Sequence, residues 1–267
     1  MSIFEKIAAI AAARNIAENP PQEGDYTDEN GILICGVCGE PRRKKREMYG
    51  KEYLMGKACR CVRERKAEEE RLAKQQEAER QKKIAFPHKK GIIASFSDDD
   101  DKDSKASKAA RAYAFSFDPN KSGWLVLHGA VGRGKTFRAE CIGNEVIEKG
   151  YSVMFTSVSE IERSAWDAEV KGEIFRRLER VSLLILDDFG SERDTPYMLE
   201  WVYNIIDIRY RCRKPLVITT NLTAAEMFKC EDRERDRIYS RICEMADFVL
   251  VEGDERRRKM LARRITE

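Results

Sequence analysis

Residues 127–137, LHGAVGRGKTF, concentrate the groups best suited to chemistry. Gly129-Ala130-Val131-Gly132-Arg133-Gly134-Lys135-Thr136 matches G-x-x-x-x-G-K-T/S. It follows a strand-like run and opens a helix-like one, the context in which that spacing binds phosphate. Gly132 and Gly134 let the backbone wrap closely, so its N–H groups face phosphate oxygens. The helix N-terminus adds a favourable field. Lys135 can reach the β- and γ-phosphates and Thr136 can hold Mg²⁺. The predicted ligand is ATP with magnesium, bound through Gly129, Gly132, Arg133, Gly134, Lys135 and Thr136. The competing reading is a plain glycine-rich strand–helix turn.

A second apolar run, LLILDDFG, ends in Asp187 and Asp188. Acids at the carboxyl end of a buried strand lie where α/β sheets collect ligands. Asp187 would hold Mg²⁺ through water, and Asp188 would polarise the attacking water. Asp188 is one methylene shorter than glutamate in that role. An acidic strand end at the surface is the alternative. A third run, VITTN, ends in Asn221, where a polar side chain can contact the γ-phosphate or orient the water. The same asparagine could be a turn residue.

Cys35-x-x-Cys38 and Cys59-x-Cys61 offer four thiolates in two close pairs. Four sulfurs suit tetrahedral Zn²⁺, and short loops within each pair bring both ligands to one ion. Gly36 and Gly39 allow a tight knuckle at the first pair. Surface thiols without metal are the alternative, and Cys141, Cys212, Cys230 and Cys243 read as core or incidental residues. So small a segment has little core of its own, and metal binding would supply much of its folding energy. The basic run PRRKKREMYGKEY between the pairs reads as a nucleic-acid contact or a solvated loop.

The elements that must position these groups follow from pattern. The chain has 267 residues, enough for one sizeable core and an appendage, and a net charge of +3, which sets up no strong global attraction to nucleic acid. From Phe86 onward, strand-like runs (GWLVLHG, YSVMFTS, VSLLILDDF, PLVITTN, ADFVLVEG) alternate with helical ones, predicting a parallel sheet covered on both faces. Residues 159–180 read as one helix. SFSDDDDKDSKAS reads as a solvated loop capping a helix at 104–115, with nothing to order its acids. Residues 1–18 read as a helix with Ile3, Phe4, Ile7 and Ile10 at helical spacing, either packing on the domain or docking a partner. Residues 62–83 are rich in helix formers and nearly free of apolar side chains, a connector. The domains expected are 1–61, a helix with a zinc-binding, partner-binding module; 62–85, a charged linker helix; and 86–267, an ATPase. No apolar run approaches the roughly 20 residues needed to span a bilayer. The amino terminus lacks the order of a signal peptide. A cytoplasmic protein is expected, where paired cysteines suggest metal rather than disulfides.

Taken together, GAVGRGKT, LLILDDFGSERDT, YNIIDIRYRCRKPLVITTNL and RIYSRICEMADFVLVEGDERRR resemble the bacterial replicative helicase loaders of the DnaC/DnaI type. These are AAA+ ATPases related to the IstB-type ATPases of transposition, and the resemblance covers about residues 86–267. It implies a P-loop AAA+ fold and an ATPase that works as a homo-oligomer, with nucleotide between neighbouring subunits. It further implies binding to single-stranded DNA and delivery of a replicative ring helicase. Lys135 and Thr136 match Walker A, Asp187 and Asp188 Walker B, and Asn221 the first sensor. Arg241, with Arg237 second, matches the region supplying an arginine finger, though an ordinary solvated basic face remains open. Arg257 matches the second sensor. Ala130 and Arg133 stand where such loaders often carry proline or a small residue, and the tail after the last strand is too short for a full helical lid. Some loaders of this kind grip the helicase with an N-terminal zinc module. Two other readings stand beside the loader: an IstB-type transposition ATPase, and a non-hydrolysing, nucleotide-switched adaptor.

Overall fold

The structure, a computed structural model, describes residues 3–87, 89, 93–165 and 168–253. The chain divides into two compact units, Met1–Gln75 and Gln76–Glu267. In order, the elements are α1 (Ile3–Glu18), β1 (Tyr26–Thr27), β2 (Leu33–Ile34), β3 (Arg43–Met48), β4 (Lys51–Gly56), α2 (Arg60–Ala85), α3 (Lys105–Phe115), β5 (Trp124–His128), α4 (Lys135–Glu148) and β6 (Val153–Thr156). They continue with α5 (Val158–Ser164), α6 (Ala168–Arg180), β7 (Leu183–Phe189), α7 (Pro196–Arg211), β8 (Leu216–Thr220), α8 (Ala224–Phe228), α9 (Arg233–Met245) and β9 (Ala246–Leu250). The division between the units falls within α2.

In the second unit five strands form one parallel sheet in the order β6-β7-β8-β5-β9. Its strands are apolar along their length because both faces are covered. Successive residues alternate between two cores. Leu125, Leu127, Leu183, Ile185 and Val217 pack towards α3 and α4, whereas Trp124, Val126, Leu184, Leu186, Leu216 and Ile218 pack towards α5–α9. Gly143 permits the close seat of α4, since a Cβ there would lie 2.9 Å from the Phe86 ring and 3.0 Å from Ile185. Because β8 and β9 flank β5, the order reverses there, and the carboxyl ends of β5, β7 and β8 meet in one crevice.

The predicted single helix at 159–180 is instead α5 and α6. Ser157 and Glu160 form a capping box that starts α5, and Ala165 ends it in a non-helical conformation. The break lets α6 set Phe175 on Trp201 of α7, with ring centroids 5.5 Å apart. Among the described residues no helix is long and apolar enough to cross a membrane.

The first unit is small. β1 and β2 pair antiparallel, and so do β3 and β4. The basic run is therefore a hairpin, turned by Tyr49 and Gly50 at φ 52° and 72°, the two-residue turn that matches strand twist. In α1 the packing face is Ala8 and Ala12, while Ile3, Phe4, Ile7 and Ile10 are exposed. Lys51 pairs with Glu5 at 3.0 Å, and the Tyr53 hydroxyl donates to the Glu5 carbonyl at 3.4 Å.

Candidate functional site

The loop between β5 and α4 has positive φ at Gly129, Gly132 and Gly134 (140°, 81° and 88°), which glycine alone tolerates readily. Gly134 is the N-cap of α4 and supplies no side chain to its first-turn N–H groups, so these remain available to an anion. A Cβ on Gly129 would lie 2.6 Å from the Val251 carbonyl, so the segment after β9 braces the loop from below. The Lys135 ammonium donates to the carbonyls of Gly129 and Ala130 at 2.7 and 2.9 Å and to Asn221 Oδ1 at 2.8 Å. Lys135 and Asn221, 86 residues apart in sequence, thus share one point. The Arg133 guanidinium turns away and donates to the Gly253 carbonyl.

Asp187 and Asp188 sit in a β-bulge. Leu186 pairs with Ile218 and Phe189 with Thr220, so two residues of β7 oppose Thr219 alone. Asp188 takes φ 52° and is exposed, whereas Asp187 turns inward. Asp187 Oδ1 accepts from the Thr136 hydroxyl at 3.0 Å and from the Thr219 hydroxyl at 2.6 Å, and Thr219 Oγ1 accepts from the Asp188 N–H at 2.9 Å. Burial lifts the Asp187 carboxyl above the usual carboxylate range, the two threonine hydroxyls oppose this, and the charges of Asp188 and Glu140 add to it. A cation between Thr136 and Asp187 would reverse that balance by favouring the ionised form. Burial and the Lys135 charge hold His128 below its ordinary value, so it stays neutral beside the loop.

Three predicted strand-end groups therefore converge, and the structure adds residues that the sequence pattern did not single out. Thr219 is fully buried; its signal is a polar residue one short of the end of an apolar strand. Arg138 is fully buried as well, on the α4 face that carries Ile142 and Val146. Of the acids expected to be solvated, Asp98, Asp100 and Asp103 are exposed, whereas Asp99 and Asp101 are engaged. Asp99 is buried, accepting from the Ser107 hydroxyl and from Asp101 N at 3.1 Å, and Asp101 pairs with Arg138 at 3.1 Å. Ser104 caps α3 as expected.

The two finger candidates differ in setting. Arg241 pairs with Asp207 of α7 at 3.3 Å, and its guanidinium lies over the rings of Tyr203 and Tyr210 at 5.2 and 5.4 Å. Arg237, one turn earlier on α9, is exposed, and its guanidinium meets no hydrogen-bond or ion-pair partner among the described residues. Arg257 lies outside the described residues.

In the first unit the sulfurs of Cys35, Cys38, Cys59 and Cys61 all lie within 4.8 Å of one another. The knuckle forms because Cys35 N donates to the Glu40 carbonyl and Gly39 N to the Cys35 carbonyl, both at 2.9 Å. Glu40 then accepts from Arg60 N at 2.8 Å, tying the knuckle to the start of α2, where the second pair lies. Gly36 is required, since a Cβ there would lie 1.9 Å from the Gly24 carbonyl. Backbone N–H groups of Cys61 and Glu40 hold the Cys38 thiol down at about 6, whereas burial pushes Cys59 up. Four converging sulfurs fit a tetrahedral ion bound at about 2.3 Å per sulfur. The other cysteines are dispersed, Cys141 buried and Cys212, Cys230 and Cys243 half-buried.

The chain is similar to known proteins. The replicative helicase loader DnaC of Escherichia coli strain K12 is 29% identical over 135 residues, 48% of this chain and 55% of that protein. The replicative helicase loader DnaI of Bacillus subtilis is 28% identical over 153 residues, 52% of this chain and 49% of that protein. The chain thus spans about half the length of the curated relatives it matches. A crystal structure of DnaI superposes with a TM-score of 0.53 at 27% identity, covering 61% of this chain and 90% of the other. A crystal structure of the DnaC helicase loader shares the fold, with a TM-score of 0.53 at 24% identity over 60% of this chain and 97% of the other. The model of the family described as IstB-like ATP binding protein matches residues 61–263, about three quarters of the sequence. The chain belongs to that family, the IstB-like ATP binding proteins.

Proposed function

We propose that this protein is an ATPase that loads a replicative ring helicase, holding the helicase with its first unit and single-stranded DNA with its second. The observation that carries the ATPase reading is the meeting of Lys135 with Asn221 and of Thr136 with Asp187, across three strand ends. Helicase loaders among the relatives support the rest.

Lys135 would exchange its loop carbonyls for the β- and γ-phosphates, and Asn221, already within 2.8 Å of it, would stay beside the γ-phosphate. Thr136 and Asp187 would hold magnesium, which supplies positive charge to the phosphate oxygens. The bulge aims Asp188 into solvent at the crevice, where its carboxylate can accept a proton from the attacking water. Arg237, rather than the tethered Arg241, is the residue free to reach a neighbouring subunit's nucleotide. A finger supplied in trans makes hydrolysis depend on assembly.

Cys35, Cys38, Cys59 and Cys61 would hold zinc, which supplies cross-linking to a unit with almost no core: Cys35, Cys59 and Val62 are its main buried cluster. The apolar face of α1 (Ile3, Phe4, Ile7 and Ile10) is a suitable surface for the helicase.

Steady-state ATP turnover with and without single-stranded DNA tests the enzyme reading. DNA-stimulated turnover that disappears in Lys135→Ala is expected. Absence of turnover, with that variant behaving like the parent, would leave a nucleotide-switched adaptor. Affinity capture from the native host should recover a hexameric helicase. Recovery of a transposase would favour the IstB-type role, for which an insertion-sequence ATP-binding protein of Geobacillus stearothermophilus, 29% identical over 114 residues, is the supporting relative.

A further inference from the structure

Arg138 is the fourth residue of α4, and its side chain has no solvent exposure. Nη1 donates to the carbonyls of Arg133 and Gly134, each at 3.3 Å. Nη2 donates to the Asp101 carboxylate at 3.1 Å and to the Ser104 hydroxyl at 3.2 Å. Ser104 is itself fixed, as the N-cap of α3, by the N–H of Ser107 at 3.1 Å and by the Asp101 carbonyl at 3.0 Å.

A peptide group is planar, with its C=O and N–H pointing in opposite directions. Holding the Arg133 carbonyl therefore fixes the direction of the Gly134 N–H, and holding the Gly134 carbonyl fixes that of the Lys135 N–H. Both belong to the set that faces phosphate. The helix itself helps with the second carbonyl, since the Arg138 backbone N–H donates to Gly134 O at 3.1 Å. Gly134, at φ 88°, has little intrinsic preference for the orientation of the peptide before it, and there the guanidinium's bond to the Arg133 carbonyl matters most.

We propose that Arg138 is a positioning residue for the phosphate-binding loop: anchored by Asp101 and Ser104, its guanidinium holds the Arg133 carbonyl on the far side, and reinforces the helical bond of the Gly134 carbonyl, so that the Gly134 N–H, with the Lys135 N–H beside it, points at the nucleotide's phosphates. This rests on the ATP-binding reading above. Asp101 neutralises the guanidinium at close range, so the contribution is orientational rather than a long-range field. An apolar residue at this position of α4 would pack against the sheet and take the guanidinium from the Arg133 carbonyl, while the Gly134 carbonyl would keep its 3.1 Å bond from the backbone N–H of residue 138.

The test is equilibrium binding of a fluorescent ATP analogue, with Mg²⁺, to the full chain and to Lys135→Ala, Arg138→Lys and Arg138→Met, at a temperature where circular dichroism shows each folded. Arg138→Met is expected to bind about tenfold more weakly, the effect of losing about one hydrogen bond's hold on the loop. Arg138→Lys keeps the charge without the two-pronged grip and should fall between it and the parent. Inorganic triphosphate used as competitor should lose affinity by the same factor, and the factor should not change with salt. Should the methionine variant fail to fold, the lysine variant carries the test, with a loss of about threefold expected. A purely structural role would lower the melting temperature while leaving the Kd of the folded variants at the parent value, and that result overturns the proposal. A parent that binds no ATP, or a Lys135→Ala variant that binds like it, overturns the underlying ATP reading instead.

Discussion

Thr219→Val isolates what holds the acidic pair at the end of β7. Valine keeps the shape of threonine, so the fully buried position retains its packing and only the hydroxyl is lost. That hydroxyl donates to Asp187 at 2.6 Å and accepts from Asp188 N at 2.9 Å. Losing the bond to a charged group costs about 1.5–3 kcal/mol, and leaving a part-buried N–H without its acceptor costs about 1 kcal/mol more. Removing a buried hydroxyl returns about 1 kcal/mol, for a net loss of about 2 kcal/mol. With a urea slope of about 2 kcal/mol per M, the unfolding midpoint should fall by about 1 M. Tryptophan fluorescence reads this, because Trp124 and Trp201 are buried in the sheet-bearing unit. A second readout is the pH dependence of ATP turnover. Burial raises Asp187 and the Thr219 hydroxyl is the foremost group opposing that rise, so the variant's carboxyl titrates higher still. Cation binding needs the ionised form, so the acid limb of turnover should move to higher pH. A midpoint shift under about 0.3 M, together with an acid limb that overlays the parent's, would refute the assignment of Thr219 as the group that organises the pair.

Other expectations follow from neighbouring contacts. Arg209 is fully buried and donates to the carbonyls of Leu178 and Val181 at 2.8 and 2.9 Å, and to those of Ser182 and Pro215. Burial pushes its guanidinium down to about 10, a cost of about 3 kcal/mol that Arg209→Met recovers. The orphaned carbonyls cost about 6 kcal/mol, so calorimetry should show a melting point lower by about 6–12 °C. Arg237→Ala should abolish turnover while leaving ATP affinity unchanged, and mixing it with Lys135→Ala subunits should restore part of the activity. Arg241→Ala should instead lower stability through lost contacts with Asp207, Tyr203 and Tyr210. Metal analysis should find one zinc per chain, removed by Cys35→Ser or by a chelator. Cys35 and Cys59, now buried, should then react with a thiol reagent, and unchanged reactivity after chelation would count against a structural metal.

The sequence alone determined the elements whose chemistry is local. A glycine-rich turn between strand and helix, acids and an asparagine at the ends of apolar strands, and two close cysteine pairs are all specified by neighbours in the chain. Continuous apolar strands demand cover on both faces, so the parallel sheet was legible too. Tertiary structure decided what depends on partners distant in sequence. The break between α5 and α6 follows from what each helix packs against, and both stretches are helix-forming by composition. Ile3, Phe4, Ile7 and Ile10 stand at helical spacing, yet periodicity does not say which face is covered, and it is Ala8 and Ala12 that pack. Asp99 and Asp101 read as solvated in sequence because Ser107 reaches Asp99 only once α3 forms, and Arg138 reaches Asp101 only once α3 and α4 dock.

 The difference between Arg237 and Arg241 arose in the same way. Two arginines four residues apart are equivalent in sequence, and only the seating of α9 on α7 sets one against Asp207 and two tyrosine rings and leaves the other exposed. Residue type and spacing fix which groups a segment can offer; the fold fixes which of them are already engaged, because engagement requires partners that the chain brings together only on folding.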